Sequence, residues 1–476
     1  MHHHSNSKRQ IAIRSFTYGV MTAAVFAAAV FCLLIVLGYQ FNQSSGKLEQ
    51  GSLLQFRSFP SGANISINGQ MQNFTTPDKK NIAVGDHTIS MQREGYNEWS
   101  KAIHLRPGEL MWLNYTRFVP KSVVTEEVKE FNALNNALAS PNKKYFALQQ
   151  TPSTKVFDIY NLEDEKKPKL ETVSLADGIL PEKIQSSEIT DWSNDSKYFL
   201  VAYNKSSAPE YVLIDRTNPK KAVNITKKLN IKIDDMQFGE DGGNIFFVRS
   251  QGDIRKIDLG SGTISEPLVS QATDFEMYKS DTIAFGALNG TKRVIGLHKN
   301  GDEKSRIVHT LPNTQPAVKI VSSSYFGDDY LAFSNGSEVE IIKNPQDSKK
   351  IFASFVLKSP AQWLQFSDNG RFIVAQHANE LATYDLEYNQ TQHIALEANK
   401  TPTKPVGWLD GYHLWDAYSG RISMIDFDGT NRQIITDALL GYDVTLSSNG
   451  KRLFSIGQNK ATKKPVFQSS QMVIEE

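Results

Sequence analysis

The residue types that carry catalysis form no recognisable motif in this sequence. It contains no Gly-x-Ser-x-Gly nucleophile motif, no His-Glu-x-x-His zinc motif and no glycine-rich phosphate loop before Lys-Ser or Lys-Thr. Its 476 residues include one cysteine, which excludes an intramolecular disulfide and a cysteine-based zinc or iron–sulfur site. We therefore predict no catalytic residue, no metal ligand and no cofactor, and a protein that is not an enzyme.

Two groups of side chains resemble metal ligands but fit another interpretation better. The run Asp426-x-Asp428-Gly429-x-Asn431 is similar to an oxygen-rich calcium loop, yet it lacks the distal glutamate of that loop. We interpret it as a hairpin. His87 and His104 have no third ligand at a useful spacing, which favours ordinary strand positions.

Aromatic residues are the remaining candidates for binding. Trp192, Trp363 and Trp408 directly precede, or lie near, a polar turn that recurs along the chain. We predict that these three form a binding face for a ligand or protein. The alternative is that they are core aromatics of a repeat, since Phe238 occupies the same register.

The first structural element that the sequence predicts is a membrane anchor. No charged residue occurs from Ser15 to Gly46, and roughly 20 apolar residues cross a hydrocarbon core of about 30 Å as a helix. We predict a transmembrane helix at 15–41, in contact with the lipid bilayer. The basic residues before it predict a cytoplasmic tail at 1–14 and an extracytoplasmic body.

Three other interpretations of the N-terminus compete with the anchor. A cleaved signal peptide has a shorter apolar stretch and a small-x-small cleavage site, which Gly38-Tyr39-Gln40 does not provide. A lipoprotein would use Cys32, but the bulky Phe31 precedes it. His2 to His4 are too few to interpret and carry no functional argument.

After a linker at 42–50, alternating strands and turn residues indicate a small β-sandwich at 51–120. Its motifs, in order, resemble those of the PEGA domain. That resemblance implies a domain of exported, membrane-attached prokaryotic proteins with no established catalysis. The matching residues are Pro60-Ser61-Gly62-Ala63, Asn68-Gly69, Thr76-Pro77, Gly85-Asp86-His87, Gly95-Tyr96 and Trp99.

The rest of the chain, 121–476, repeats a polar turn followed by an apolar strand. The strand centres are about 44 residues apart on average, which fits a four-stranded propeller blade. The turns resemble the Ser-Pro-Asp-Gly-Lys turn of TolB-type and WD40-like β-propellers. We predict eight blades, or seven if the fourth unit is irregular. The predicted strand centres are residues 146, 199, 246, 283, 331, 373, 414 and 454.

The predicted fold is therefore all-β after one transmembrane helix, with a sandwich and then a propeller. We also predict that the strand at Val123 to Val128 joins the blade that ends near Val473-Ile474. Joining the two ends of a propeller in one sheet protects its edges.

The charge composition argues against one class of function, nucleic-acid binding. With 52 basic and 51 acidic residues, the chain lacks the basic field of a nucleic-acid-binding protein. The leading hypothesis is a membrane-anchored binding or scaffold protein of a prokaryotic cell envelope, whose partner is an envelope protein or a cell-wall polymer. Two alternatives stay open: a lyase or glycosidase with carboxylates in the propeller channel, and a purely structural protein that binds the cell wall.

Overall fold

The structure, a computed structural model, describes residues 8–36, 38–42, 46–206, 208–312, 318–396 and 404–475. The chain divides into two compact units, residues 1–122 and 123–476. Each unit buries its own set of apolar side chains.

The first unit begins with helix α1, Lys8–Val36. Its 29 residues span about 44 Å at 1.5 Å per residue. The stretch Ile11–Val36 is apolar, and its most apolar window is not buried by the described residues, so it has the length and composition of a membrane span or a signal sequence. Helix α1 begins before residue 15 and ends before residue 41, the bounds predicted from the sequence. Its end is followed by a turn at Gly38, whose φ is +79°.

A hairpin occupies most of the segment that the sequence predicted as a linker. Strand β1, Tyr39–Asn42, pairs antiparallel with β2, Lys47–Gln50. Gly46, with a φ of +67°, lies directly before β2. The predicted linker, 42–50, thus includes the last residue of β1 and all of β2.

Seven further strands form the sandwich of the first unit. Three of them make a sheet in the order β6-β3-β9, in which β3 and β9 are parallel, and the other four make a sheet in the order β5-β4-β7-β8. The strands are β3 Ser52–Phe59, β4 Asn64–Ile67, β5 Gln70–Thr75, β6 Asp78–Ile82, β7 Gly85–Gln92, β8 Trp99–Leu105 and β9 Leu110–Arg117.

The turns and core of this sandwich follow from its sequence. Asn68 and Gly69 both have positive φ, as the two-residue hairpin between β4 and β5 requires. Trp99 is fully buried, and its ring meets the Tyr115 ring edge-on with centroids 5.8 Å apart. Trp99 is thus a core residue, whereas Trp112 keeps 40% of its surface exposed.

The second unit is a β-propeller whose described residues contain eight four-stranded antiparallel sheets. It begins with β10, Thr125–Glu130, which belongs to the last sheet. Blades 1 to 4 follow in order. Their strands are β11 Leu134–Ala139, β12 Tyr145–Gln150, β13 Val156–Asn161, β14 Lys169–Ser174, β15 Ser186–Trp192, β16 Tyr198–Asn204, β17 Glu210–Asp215, β18 Val223–Asn224, β19 Asp235–Phe238, β20 Ile245–Ser250, β21 Asp253–Asp258, β22 Thr263–Ile264, β23 Ala272–Lys279, β24 Thr282–Asn289, β25 Lys292–Lys299 and β26 Arg306–Pro312.

Blades 5 to 7 have the same order, and blade 8 adds β10 to three strands from the end of the chain. A 3₁₀ turn, Pro219–Lys221, and helix α2, Ile225–Leu229, flank β18 in blade 2. The remaining strands are β27 Ile320–Tyr325, β28 Asp328–Asn335, β29 Glu338–Lys343, β30 Ile351–Val356, β31 Trp363–Phe366, β32 Phe372–His377, β33 Glu380–Asp385, β34 Gln390–Ala395, β35 Gly407–Trp408, β36 His413–Asp416, β37 Arg421–Asp426, β38 Gln433–Asp437, β39 Thr445–Leu446, β40 Arg452–Gln458 and β41 Pro465–Gln471.

The eight strand centres identified from the sequence all lie on the second strand of a blade. Every one of these side chains is 0% exposed, since the second strand is covered on both faces by the neighbouring blades. The fourth unit forms a complete blade, so the described residues support eight blades. The centres are Phe146, Phe199, Phe246, Ile283, Leu331, Ile373, Leu414 and Phe454.

The strand predicted ahead of the first repeat joins the blade at the other end of the chain. Strand β10 pairs antiparallel with β41, with Thr125 opposite Ser470. Phe467 on β41 also packs on two rings of blade 1, at 5.4 Å from the Phe146 centroid and 4.4 Å from the Tyr160 centroid. Contacts therefore pass from the eighth blade to the first.

A charged pair joins the start of the second strand to the end of the third in six blades. In blade 6 this pair is buried: Arg371 donates to Asp385 through Nε at 2.9 Å and Nη2 at 2.7 Å. Blades 4 and 5 carry the pair with the charges exchanged. The pairs are Lys144–Glu163, Lys197–Asp215, Arg371–Asp385 and His413–Asp426, and, exchanged, Asp281–Lys299 and Asp328–Lys343.

Candidate functional site

The first strands of the blades border one cavity of about 920 Å³, which we name the channel cavity. Its lining comes from seven of the eight blades, and only the propeller axis is close to so many of them. In a ring of eight blades, blades 2 to 4 lie across the channel from blades 6 to 8. The two sides differ in chemistry.

The side formed by blades 2 to 4 is acidic. Glu188 on β15 and Glu276 on β23 line the channel cavity itself. Three further carboxylates lie on the first strands of the same blades, and all three act electrostatically on Glu276. We name the five residues the acidic wall: Glu188, Asp191, Asp235, Asp274 and Glu276.

Burial and repulsion between neighbouring carboxylates raise the pKa of three residues of this wall, Asp191, Asp274 and Glu276. Loss of water raises the pKa of Glu276 to about 8, with Asp191 and Asp274 adding repulsion. Loss of water likewise raises the pKa of Asp191 to about 7 and that of Asp274 to about 6. All three residues are half-buried, and Glu276 borders the channel cavity. At neutral pH Glu276 therefore keeps a proton that an ordinary glutamate side chain would have released.

Some of the channel carboxylates also connect neighbouring blades. Asp274 of blade 4 accepts a hydrogen bond from the backbone N–H of Ile320 in blade 5, at 3.2 Å. Asp443, between blades 7 and 8, accepts one from Ala139 of blade 1 at 2.9 Å. Burial raises the pKa of Asp443, and the positive charge of Lys404 opposes that rise. These acids thus hold blades together as well as facing the channel.

Blades 6 and 7, on the other side, contribute the tryptophans of the cavity. Trp363 on β31 and Trp408 on β35 are half-buried, and both line the channel cavity. Trp408 stacks on Phe372, with ring centroids 6.1 Å apart. Trp415 on β36 is 4% exposed and borders the same cavity. We name Trp363, Trp408 and Trp415 the aromatic wall.

Trp192, the third tryptophan predicted for the binding face, does not reach the cavity. It is 3% exposed, because its ring packs between blades 1 and 2 against Tyr145 and Phe199. Trp192 is therefore a core residue of the repeat. The binding-face prediction places two of its three residues in the channel and one in the core.

A lysine crosses one end of the channel. Lys143, in the turn after β11 of blade 1, extends to two blades on the other side of blade 8. Its Nζ lies 2.6 Å from a carboxylate oxygen of Asp368 in blade 6 and 2.6 Å from the carbonyl oxygen of Leu409, which follows blade 7 strand β35. Lys143 thus links blade 1 to blades 6 and 7 beside the channel cavity.

The calcium-like run forms the hairpin that the sequence favoured. The N–H of Gly429 donates to the carbonyl of Asp426 at 2.8 Å, and the Asp426 carboxylate accepts from the Asn431 amide at 2.9 Å. His104 lies 2.7 Å from Asp86, and His87 contacts Asn68. Within the described ranges, no group of three or more His, Cys, Asp or Glu side chains could hold a metal ion.

Sequence reasoning missed the acidic wall and Trp415. The signal that could have found the wall is the polar residue alternating with apolar ones on a first strand, as in Asp235, Met236, Gln237 and Phe238. The alternation is broken elsewhere by β-bulges, between Ile189 and Asp191 in β15 and between Ala272 and Asp274 in β23.

Comparisons with known proteins give one family and several distant structures. Residues 52–118 match the PEGA domain family. No curated protein sequence matches the chain. A dihydro-heme d1 dehydrogenase, NirN, in complex with DHE is similar with a TM-score of 0.44 and 11% identity, over 64% of this chain and 67% of that one.

Two further solved structures are similar over 72% of this chain. The Kluyveromyces lactis protein Hsv2p has a TM-score of 0.40 and 11% identity, with 100% of its own chain covered. An oligogalacturonate lyase in complex with manganese has a TM-score of 0.40 and 8% identity, with 98% covered. The family assignment is therefore confined to the first unit: residues 52–118 are a PEGA domain, followed in the chain by a β-propeller.

Proposed function

We propose that this chain is a membrane-anchored, extracytoplasmic binding protein of a prokaryotic cell envelope, and that its propeller binds wall glycan in the channel. The observation that carries the proposal is the channel cavity itself, with tryptophans on one side and carboxylates on the other. Ligand sites combine aromatic surface with a few placed polar groups, and this cavity has that composition.

Helix α1 supports attachment to a membrane. Its apolar surface is exposed over Ile11–Val36, and exposed apolar surface of that extent is stable only in lipid. Lys8, Arg9 and Arg14 precede or begin this stretch, and basic residues concentrate on the cytoplasmic side of a span. This orientation puts the PEGA domain and the propeller outside the cytoplasm.

The two walls suit a sugar chain. The faces of indole rings pack against the C–H surfaces of sugar rings, and Trp363 and Trp408 offer such faces within the cavity. Carboxylates such as Glu188 and Glu276 accept hydrogen bonds from hydroxyl or amide groups. A polymer that presents both kinds of surface matches both sides of the channel.

Retention of purified cell-wall glycan by the full chain in detergent tests the proposal. The variants are Trp363→Ala with Trp408→Ala, and the matched control is Trp112→Ala in the PEGA domain. We expect the channel variant to lose at least about tenfold in retention, because about 1.4 kcal/mol of lost contact gives that factor. The control should bind as the parent does.

Two results contradict the proposal. Loss of retention in the Trp112 variant alone would locate the wall contact in the PEGA domain, and the propeller would then have another role. Absence of retention by the parent chain would leave the channel without a glycan ligand.

Acid–base cleavage of the bound glycan is a second candidate function. The raised pKa values of Asp191, about 7, and Glu276, about 8, favour it, since a general acid must hold its proton near neutral pH. Incubation with wall glycan, followed by measurement of new chain ends, tests it. If Glu276 is the general acid, Glu276→Gln abolishes cleavage while the variant still retains the glycan. Unchanged cleavage by that variant, or no cleavage by the parent chain, rejects this role for Glu276.

A further inference from the structure

A segment of blade 2 concentrates positive charge on the outside of the propeller. Residues 216–232, between β17 and β19, contain no acidic residue although the whole chain has a net charge of only +1. The segment includes the 3₁₀ turn, β18 and α2. Its basic residues are Arg216, Lys220, Lys221, Lys227, Lys228 and Lys232.

The five lysines of this segment are exposed and form no ion pair with any described residue. Lysines next to the segment behave differently. Lys197 lies 3.9 Å from Asp215, and Lys205 pairs with Glu210. Uncompensated like charges on one surface repel each other, and that repulsion is relieved when an anion binds.

Two lysines of the segment, Lys227 and Lys232, border a groove of about 740 Å³ between blades 2 and 3, which we name the basic groove. Its cations are Lys205, Lys227, Lys232 and Arg255, and its acids are Glu210 and Glu266. Burial tends to raise the pKa of Glu210, but hydrogen bonds from Lys205 and Asn224 outweigh burial and lower it. Arg255 lies 3.4 Å from Asp253.

Two lysines of the basic groove therefore stay unpaired among the described residues. Lys205 is occupied by Glu210 and Arg255 by Asp253, which leaves Lys227 and Lys232. The exposed Lys220, Lys221 and Lys228 lie on the same segment. The basic groove thus has two unpaired lysines in its lining and three more exposed lysines on the segment that borders it.

The apolar residues of the segment distinguish a polymer from a lipid surface. A helix that lies on a membrane presents an apolar face to the lipid. In α2 that face is used inside the protein: Ile225 is fully buried, and Leu229 packs against the core between blades 2 and 3. The segment is left with charge alone, which suits a hydrated polyanion.

We propose that the basic groove and its flanking lysines bind a linear polyanion that carries phosphate or carboxylate groups along its chain. This binding site is separate from the channel cavity, since the two cavities share no lining residue. The propeller then engages an anionic polymer on its side and a second ligand on its axis.

Binding of inorganic polyphosphate and of polygalacturonate to the full chain in detergent, at low and moderate salt, tests the proposal. The groove variant changes Lys220, Lys221, Lys227, Lys228 and Lys232 to Gln. The control variant changes five exposed lysines elsewhere on the propeller and therefore removes the same charge: Lys292, Lys304, Lys349, Lys350 and Lys463.

We expect at least about tenfold weaker polyanion binding by the groove variant, with a shallower salt dependence because fewer counterions are released. The control variant should change affinity by less than about threefold. Melting curves establish that both variants fold, and Lys227→Gln with Lys232→Gln alone should reproduce part of the loss.

Three outcomes overturn the proposal. Equal losses in the groove and control variants would mean that net charge, not this groove, attracts the polymer. No binding of either polyanion by the parent chain would exclude the ligand class. Binding to vesicles of anionic phospholipid that the groove variant abolishes, without polymer binding, would assign the lysines to a membrane surface.

Discussion

The interior of the blades and the wall of the channel are built by neighbouring strands of the same blades, but their side chains follow different patterns. Inside the blades, each second strand repeats one apolar, fully buried position, and a charged pair recurs beside it in six blades. Along the channel the side chains differ from blade to blade: blades 2 to 4 present carboxylates, and blades 6 and 7 present tryptophans. The repeated positions hold the propeller together, and the unrepeated ones are free to make a site.

The largest expected effect comes from removing the strand that joins the two ends of the propeller. Deletion of residues 467–476 takes away most of β41, which pairs with both β10 and β40, together with the buried Phe467. Exposing two strand edges and a core ring should lower the melting temperature sharply, by about 10 °C or more. Calorimetry measures it. Deletion of 474–476 alone, beyond β41, is the control, and an unchanged melting temperature in the longer deletion would show that β10 and β41 contribute nothing.

A smaller effect is expected inside one blade. Arg371→Leu leaves the buried Asp385 carboxylate without its guanidinium partner, which costs about 3–5 kcal/mol in the free energy of unfolding. Lys299→Leu breaks the exposed pair with Asp281 and should cost less than about 1 kcal/mol. Urea unfolding compares the two. Equal costs would contradict the view that burial makes the blade 6 pair important.

The smallest effect is expected in the channel, and its sign is opposite. The stability that protonation of Glu276 contributes is fully present below its ordinary pKa of 4.5 and is lost as the pH rises through about 8. Glu276→Gln removes the charge that forms above that range. The variant should therefore be more stable than the parent at about pH 9, by roughly 1–2 kcal/mol, and equal to it at about pH 5.

Urea unfolding of parent and variant at both pH values makes this comparison. A variant that is less stable than the parent at high pH would mean that the Glu276 carboxylate is stabilised where it lies. Glu338→Gln, on β29 of blade 5 and outside the lining of the channel cavity, is the control for removing one carboxylate elsewhere in the propeller.

The repeated part of this molecule could be predicted from its sequence, and the unrepeated part could not. Turn residues and apolar strands recur about every 44 residues, so their spacing located all eight second strands, and the PEGA motifs located the sandwich. The register of the first strands depends on β-bulges that no local pattern specifies, as at Ile189 and Asp191. For that reason the sequence found Trp363 and Trp408 but not the carboxylates across from them.

The dependence on neighbouring blades also explains why Trp192, predicted for the binding face, lies in the core. Trp192 and Trp408 both end a first strand, and their sequence neighbourhoods are similar. The ring of Trp192 lies between two blades against Phe199, whereas Trp408 borders the channel cavity. Which side of a strand end a ring occupies is decided by the adjacent blade, and that neighbour is distant in sequence.

Hydrogen–deuterium exchange of the full chain, with and without soluble wall oligosaccharides, tests the central claim most directly. It reports which backbone amides a ligand protects, whatever the affinity of single variants. If the channel cavity is the binding site, protection appears in 363–368 and 404–408, next to the aromatic wall, and in the strand that carries Glu276. Protection confined to 52–118, with the propeller unchanged, would contradict the claim.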